Sequence, residues 1–199
     1  MMKQMTAAPR RVFRAAFVFA SACVLLAACT TTGFHTQPTA AAARREINAS
    51  ADATMTRLYD VSPNARALVA RANGVLIFPD VNKISFIVGG EHGDGVLRVR
   101  NEPVGYYTIG GGSIGYQAGA QSKAVVLLFM TPGALDHFRN SNGWTVGADA
   151  TLAVASFGAN ASINTESAKK PVIEFVLNNE GLMAGVSLQG TKIRPISLG

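Results

Sequence analysis

From Gly74 to the C terminus the chain is a succession of short β-branched or aromatic runs, each bounded by Gly, Asn, Asp or Pro. Such runs predict β-strands, and the turn residues between them predict tight antiparallel connections. The segments EHGDG (91–95) and NNEG (178–181) are predicted hairpin turns, because glycine and asparagine adopt positive φ at little cost. The sequence therefore predicts a mainly β member of the α+β class: a strongly curved antiparallel sheet or barrel-like core with N-terminal and peripheral helices.

The segment YYTIGGGSIGYQAGAQ (106–121) contains both G-x-G-x-x-G and G-x-S-x-G, the second centred on Ser113. The first pattern is typical of dinucleotide-binding loops and the second of serine hydrolases, but both require a helix directly after the strand. Here the following residues predict the rest of a strand, a turn at 121–123 and another strand. Glycine on one face lets a strand coil steeply or lets another segment approach closely. That face is predicted to contain Gly111, Gly115 and Gly119.

Three helices are predicted around the strands. Helical periodicity of apolar residues begins near Arg44. A second, shorter helix is expected to begin at the Ser62-Pro63 cap and to end at Gly74. A third helix is predicted from Thr131 as N-cap and Pro132 at the first helical position.

The first 28 residues resemble a bacterial lipoprotein signal peptide. A basic stretch is followed by an apolar run too short to span a bilayer comfortably. The run ends in LAAC (26–29), which fits the bacterial lipobox and predicts lipidation of Cys29. Residues 29–43 are then the lipidated N terminus and a flexible tether, and residues 44–199 are the folded domain. Thr30, by resemblance to other lipoproteins, implies sorting to the outer membrane.

Charge and cysteine content exclude two classes of protein. Four of the 18 basic residues precede position 29, so the remaining chain has 14 basic and 12 acidic residues and a net charge of +2. A charge this small argues against a nucleic-acid partner. No cysteine follows Cys29, so the domain has no intramolecular disulfide.

Catalytic and metal-binding groupings have little support. The three histidines lack metal-ligand spacing and no cysteine accompanies them, so neither a metal nor another cofactor is predicted. Two other groupings can be written from the sequence. A hydrolytic triad would combine Ser113, His137 and Asp149, although nothing in their spacing supports it. An acid/base or cation cluster would combine Glu91, His92 and Asp94.

Basic residues beside the predicted strands are the better candidates for a ligand-binding site. Several converging cations neutralise a phosphate or sulfate head group effectively. The predicted ligand-binding residues are Lys83, Arg98, Arg100 and Lys123.

A family resemblance follows from four blocks that occur in order between about 52 and 196. They are RANGVLIFPDVNKISFIVGGEHGDGVL, YYTIGGGSIGYQAGAQSKAVVLLFM, ALDHFRNSNGWTVGADATLAVA and GLMAGVSLQGTKI. These blocks resemble the SYLF domain. The resemblance implies a binding module rather than an enzyme, since eukaryotic SYLF domains are described as binding phosphoinositide-containing membranes, with actin association in the yeast branch. It also implies a role in lipid binding for the helix that begins near Arg44.

The expected function is therefore that of an outer-membrane-anchored lipoprotein whose SYLF domain binds anionic phospholipid or a similar amphiphile without catalysis. One alternative is an envelope structural or interaction protein that is attached to the membrane only through its lipid anchor, with a protein partner that the sequence does not identify. A third hypothesis, hydrolysis through Ser113, is tested by Ser113→Ala.

Overall fold

The computed structural model describes the chain from residue 39 to residue 198, with gaps. Residues 1–38, which include the predicted signal peptide, Cys29 and most of the predicted tether, lie outside the described residues. Pro38–Gly199 form one compact unit. Within the part of this unit that is described, no helix combines the length and apolar character needed to cross a bilayer. The described ranges are 39–85, 88–114, 119–149, 152–154, 169–178, 181–183, 188 and 190–198, with backbone alone described at 83–85, 88–89, 112–114, 119–121 and 152–154.

Helices α1 and α2 follow one another at the start of the domain. Helix α1 spans Ala40–Val61 and begins four residues earlier than predicted, because the Thr39 side chain accepts a hydrogen bond from the Ala42 amide and caps the helix there. The last four residues of the predicted tether therefore belong to α1. Helix α2 spans Pro63–Arg71, with proline at its start as predicted. Ser62 occupies the predicted N-cap position, but its side chain makes no capping hydrogen bond.

The predicted end of α2 at Gly74 is wrong. The helix ends at Arg71, and Gly74 is the first residue of a strand. A Cβ at position 74 would lie 2.7 Å from Cδ1 of Leu135, so Gly74 lets the Leu135 side chain pack closely and does not cap a helix. Helix α3 spans Pro132–Asn140 and is capped by Thr131, as predicted.

Nine described strands form one sheet. Their order across the sheet is β5-β9-β3-β2-β1-β4-β7-β6, and β8 pairs with β7. Neighbouring strands are antiparallel except for β6 and β7, which are parallel. The predicted class, a mainly antiparallel curved sheet with N-terminal and peripheral helices, is confirmed. The strands are β1 Gly74–Ser85, β2 Val88–Val99, β3 Glu102–Ile114, β4 Gly119–Phe129, β5 Trp144–Thr145, β6 Leu152–Val154, β7 Val172–Asn178, β8 Gly181–Leu182 and β9 Lys192–Ile196.

Each face of the sheet buries its own hydrophobic core. On one face, which we call the α1 face, Ile77 and Val96 pack against α1 and α2. On the other, the α3 face, Leu76 and Leu97 pack with α3 and Trp144. Because neighbouring residues of a strand point to opposite faces, strands buried on both sides become nearly continuous apolar runs.

The described parts of the glycine-rich segment lie in strands, and no helix follows among the next described residues. Residues 110–114 belong to β3, and the next described residues, from Gly119, belong to β4. The predicted turn at 121–123 is wrong because these residues pair with β1, and the Ser122 hydroxyl donates to Asp80. Gly119 therefore lies on a different strand from Gly111, and Gly115 lies outside the described residues. Neither the nucleotide nor the hydrolase pattern has its required helix among residues 119–129.

The predicted turn at EHGDG is also wrong, whereas the strands on either side of NNEG pair as a hairpin as predicted, with residues 179–180 outside the described residues. Residues 91–95 continue β2 and pair with β3, and residues 91 and 92 also pair with β1. The glycines are needed there because β1 is irregular between Ile77 and Asn82, and its backbone approaches β2 closely. At the other segment, Asn178 pairs with Gly181, whose amide donates to the Asn178 side chain.

Candidate functional site

A cleft of about 730 Å³ opens at the end of the sheet where β1 begins and β2 ends. Its walls come from the second half of α1, the end of α2, the start of α3 and the turn between β2 and β3. Much of this wall is apolar, including Met55, Val69, Val75 and Leu135. A cleft of this size, mostly apolar with a few polar groups, is typical of small-molecule sites.

The turn at the mouth of the cleft holds an arginine in an unusual conformation. Arg100 and Asn101 connect the paired residues Val99 and Glu102, and their φ angles are +53° and +68°. Two positive φ values define a turn that favours Asn-Gly. A long side chain rarely adopts the left-handed region, because its Cβ crowds the backbone. Arg100 is exposed and lines the cleft, so the turn places a strained cation at a binding surface.

Arg98 also lines the cleft, but its charge is already engaged. The residue is 8% exposed, and its guanidinium donates to the Asp52 carboxylate at 2.5 Å and to the Asn48 carbonyl at 3.1 Å. Asn48 in turn donates to the Tyr106 hydroxyl. In the described part of the chain, Arg98 Nε has no hydrogen-bond partner. This network fixes α1 on the sheet, so we assign Arg98 a structural role at the cleft.

Lys123 lies on the α3 face, away from the two arginines. Lys123 is directly opposite Val81, which belongs to the α3-face core. Arg98 lies two positions after Val96, which belongs to the α1-face core, so Arg98 is on the other face of the sheet. Its Nζ lies 3.1 Å from the Glu91 carboxylate, and both side chains are nearly buried. The backbone of Lys83 pairs with Glu91 on the neighbouring strand. The structure therefore brings Arg98 and Arg100 together at the cleft and does not bring Lys123 to them.

A second acid lies buried near the Lys123–Glu91 ion pair. Glu174 on β7 is 0% exposed, and neither carboxylate oxygen has a hydrogen-bond partner among the described residues. Burial raises the pKa of Glu174 to about 7. The nearby Lys123 ammonium and the Leu188 backbone, which lies near the carboxylate without forming a full hydrogen bond, lower it, and Glu91 raises it further. The single acid in the apolar run PVIEFVLN was the signal for this group, which sequence analysis missed.

The other candidate groupings do not form sites in the described structure. His92 Nε2 lies 3.8 Å from Asp94, but Glu91 is engaged by Lys123 instead. Asp149 accepts a hydrogen bond from the Thr145 amide within a turn. The Ser113 side chain lies outside the described atoms. Among described residues, no group of three His, Cys, Asp or Glu side chains is arranged to hold a metal.

The sequence is similar to one protein family and to several curated proteins. A family model, Ysc84, described as "Las17-binding protein actin regulator", matches residues 110–196. SH3 domain-containing YSC84-like protein 1 of Bos taurus is 26% identical over 132 residues, covering 62% of this chain and 38% of the bovine protein. The Homo sapiens protein is also 26% identical, covering 62% of this chain and 37% of its own length. The match thus spans well under half of each relative. Residues 110–196 therefore match the Ysc84/SYLF family model, and the chain is distantly similar to the YSC84-like proteins.

Proposed function

We propose that this protein is a non-catalytic binding module whose cleft takes a phospholipid or a similar amphiphile. The phosphate lies on Arg100, and the apolar part of the ligand lies along Met55, Val75 and Leu135. The observation that carries the proposal is the strained Arg100 turn beside an apolar cleft. Arginine suits this role because its planar guanidinium binds phosphate oxygens in pairs.

The four cations predicted from the sequence have different parts in this proposal. Arg100 binds the ligand, and Arg98 holds α1 in place as one wall of the cleft. Lys123 is paired with Glu91 on the other face, so it takes no part in the cleft. The Lys83 backbone pairs with Glu91 on the neighbouring strand, and we assign Lys83 no contact with the ligand.

Membrane attachment is a separate part of the proposal. Cys29 is the acylated residue, and the protein is anchored to the outer membrane through it. Mass spectrometry of the N-terminal peptide tests this directly, because acylation adds the mass of the fatty acyl groups and Cys29→Ser removes it. An unmodified Cys29 in the native protein would contradict the anchor but leave the cleft unaffected.

A protein-binding function is the second candidate. The matching family model is described by its binding to another protein, and its match covers strands β4 to β9. In this alternative only the lipid anchor attaches the protein to the membrane, and the domain binds an envelope protein. Crosslinking that recovers one specific protein, together with no affinity of the purified chain for phospholipid, would favour it.

Substituting Arg100 separates ligand binding from stability. Because asparagine tolerates positive φ better than arginine, Arg100→Asn is expected to raise the free energy of unfolding by about 0.5–1 kcal/mol. The same substitution is expected to weaken binding of a short-chain phospholipid, titrated below its micelle concentration, by at least about tenfold, or about 1.4 kcal/mol. Calorimetry of the full chain measures both quantities.

The matched control is Arg194→Asn, which removes an exposed arginine from β9, outside the cleft. It is expected to leave phospholipid affinity unchanged. Equal loss of affinity in both variants would mean that net positive charge, and not the cleft, binds the lipid.

A further inference from the structure

Four charged side chains line the cleft, and their signs balance. They are Asp52, Arg98, Arg100 and Asp136. Asp52 and Arg98 neutralise each other through their ion pair. In the part of the chain that the structure describes, neither Arg100 nor Asp136 forms a salt bridge with another residue. The cleft therefore offers a ligand one cation and one anion.

The two charges come from separate elements on the same cleft. Arg100 lies in the turn between β2 and β3, and Asp136 is the fifth residue of α3. Both are exposed. Asp136 lies beyond the first turn of α3, which contains no acid, and the helix dipole favours a carboxylate only within that first turn. The dipole therefore does not account for the negative charge of Asp136 at the cleft wall.

The predicted anionic ligand is based on the basic residues alone, whereas the acid Asp136 also lines the cleft. A ligand whose only charged group is a phosphate would be attracted by Arg100 and repelled by Asp136, because both residues line the same cleft. A ligand with both a phosphate and an ammonium group satisfies both residues. Selection by a repulsive group as well as an attractive one is a general means of specificity.

We propose that the cleft selects a zwitterionic head group, a phosphodiester bearing an ammonium group, with the phosphate on Arg100 and the ammonium on Asp136. This inference rests on the proposed function, because it specifies the head group of the same amphiphile. The apolar walls receive the first part of an acyl chain. The cleft volume of about 730 Å³ falls within the range of sites that bury a molecule of this size.

The test compares two short-chain phospholipids below their micelle concentrations with the full chain, one with a phosphoethanolamine and one with a phosphoglycerol head group. The zwitterionic lipid is expected to bind about tenfold more tightly. Asp136→Asn is expected to abolish this preference by weakening the zwitterionic lipid and strengthening the anionic one. Asp60→Asn, at an exposed acid of α1 outside the cleft, is the control and retains the preference.

The possible outcomes separate this inference from the proposed function. If both lipids depend on Arg100 but the anionic one binds as tightly or more tightly, the zwitterion proposal is overturned and the cleft proposal stands. If neither lipid binds, both fall. Soluble glycerophosphoethanolamine is a third probe: affinity equal to that of the lipid supports the head-group assignment and contradicts the role of the apolar walls. Thermal unfolding of each variant shows whether a loss of affinity reflects a loss of folded protein.

Discussion

Gly95→Ala is expected to destabilise the domain by about 3 kcal/mol or more, whereas Gly90→Ala on the same strand changes the free energy of unfolding by less than about 1 kcal/mol. A Cβ at position 95 would lie 2.3 Å from the Ile77 carbonyl oxygen and 2.5 Å from the Phe78 ring. The first obstacle is backbone, so no rotamer change relieves it. At position 90 the nearest atom would be the Gly111 carbonyl oxygen at 3.9 Å.

Urea denaturation of the two variants measures this difference. The position of Gly95 matters because β1 is irregular next to it, between Ile77 and Asn82. Pro79 lies within that irregular stretch, where a residue without an amide hydrogen is tolerated. If Gly95→Ala proved as stable as the wild type, β1 and β2 could not approach as closely as described, and the bulge would be absent.

The second large effect is a pH-dependent loss of stability caused by Glu174. The carboxyl group has a pKa of about 7 in the folded state and an ordinary value of 4.5 in an unfolded chain. Between these values the folded state retains a proton that the unfolded chain has released, so stability falls as pH rises from 4.5 to 7. Above pH 7 both states are ionised and the full penalty, about 3 kcal/mol, is present.

Glu174→Gln is expected to remove this penalty. The variant should be more stable than the wild type by up to about 3 kcal/mol at pH 8.5 and nearly equal to it at pH 4.5. Denaturation at several pH values measures both profiles. Glu102→Gln, at an exposed position of β3, is the control and should follow the wild type. Parallel profiles for the wild type and Glu174→Gln would show that Glu174 finds a partner in the folded protein.

The sequence was sufficient for the elements whose signals are local. Thr131 and Pro132 predicted the start of α3, where the Thr131 side chain caps the helix. Pro63 predicted the start of α2, although the Ser62 hydroxyl makes no capping hydrogen bond. Glycine was harder to interpret. Gly95 is required by the close approach of the Ile77 backbone, and Gly74 packs closely against the Leu135 side chain. Both contacts join residues distant in sequence, whereas the local pattern predicts a turn and a helix cap.

The site was predictable only in part for the same reason. Counting basic residues near strands found Arg98 and Arg100, both of which line the cleft. It could not show that Arg98 would be paired with Asp52, or that Lys123 would be paired with Glu91 on the other face of the sheet. The sequence pattern does not indicate Asp136 as a ligand contact, because only the fold brings α3 and the turn that contains Arg100 to the same cleft.

Photo-crosslinking tests the central claim most directly. A short-chain phospholipid with a photoreactive acyl chain is added to the full chain, and the modified residues are mapped by mass spectrometry. The cleft proposal predicts crosslinks at Met55, Val69, Val75 and Leu135 that disappear in Arg100→Asn and persist in Arg194→Asn. Crosslinks concentrated elsewhere on the domain, or unaffected by Arg100→Asn, would contradict it.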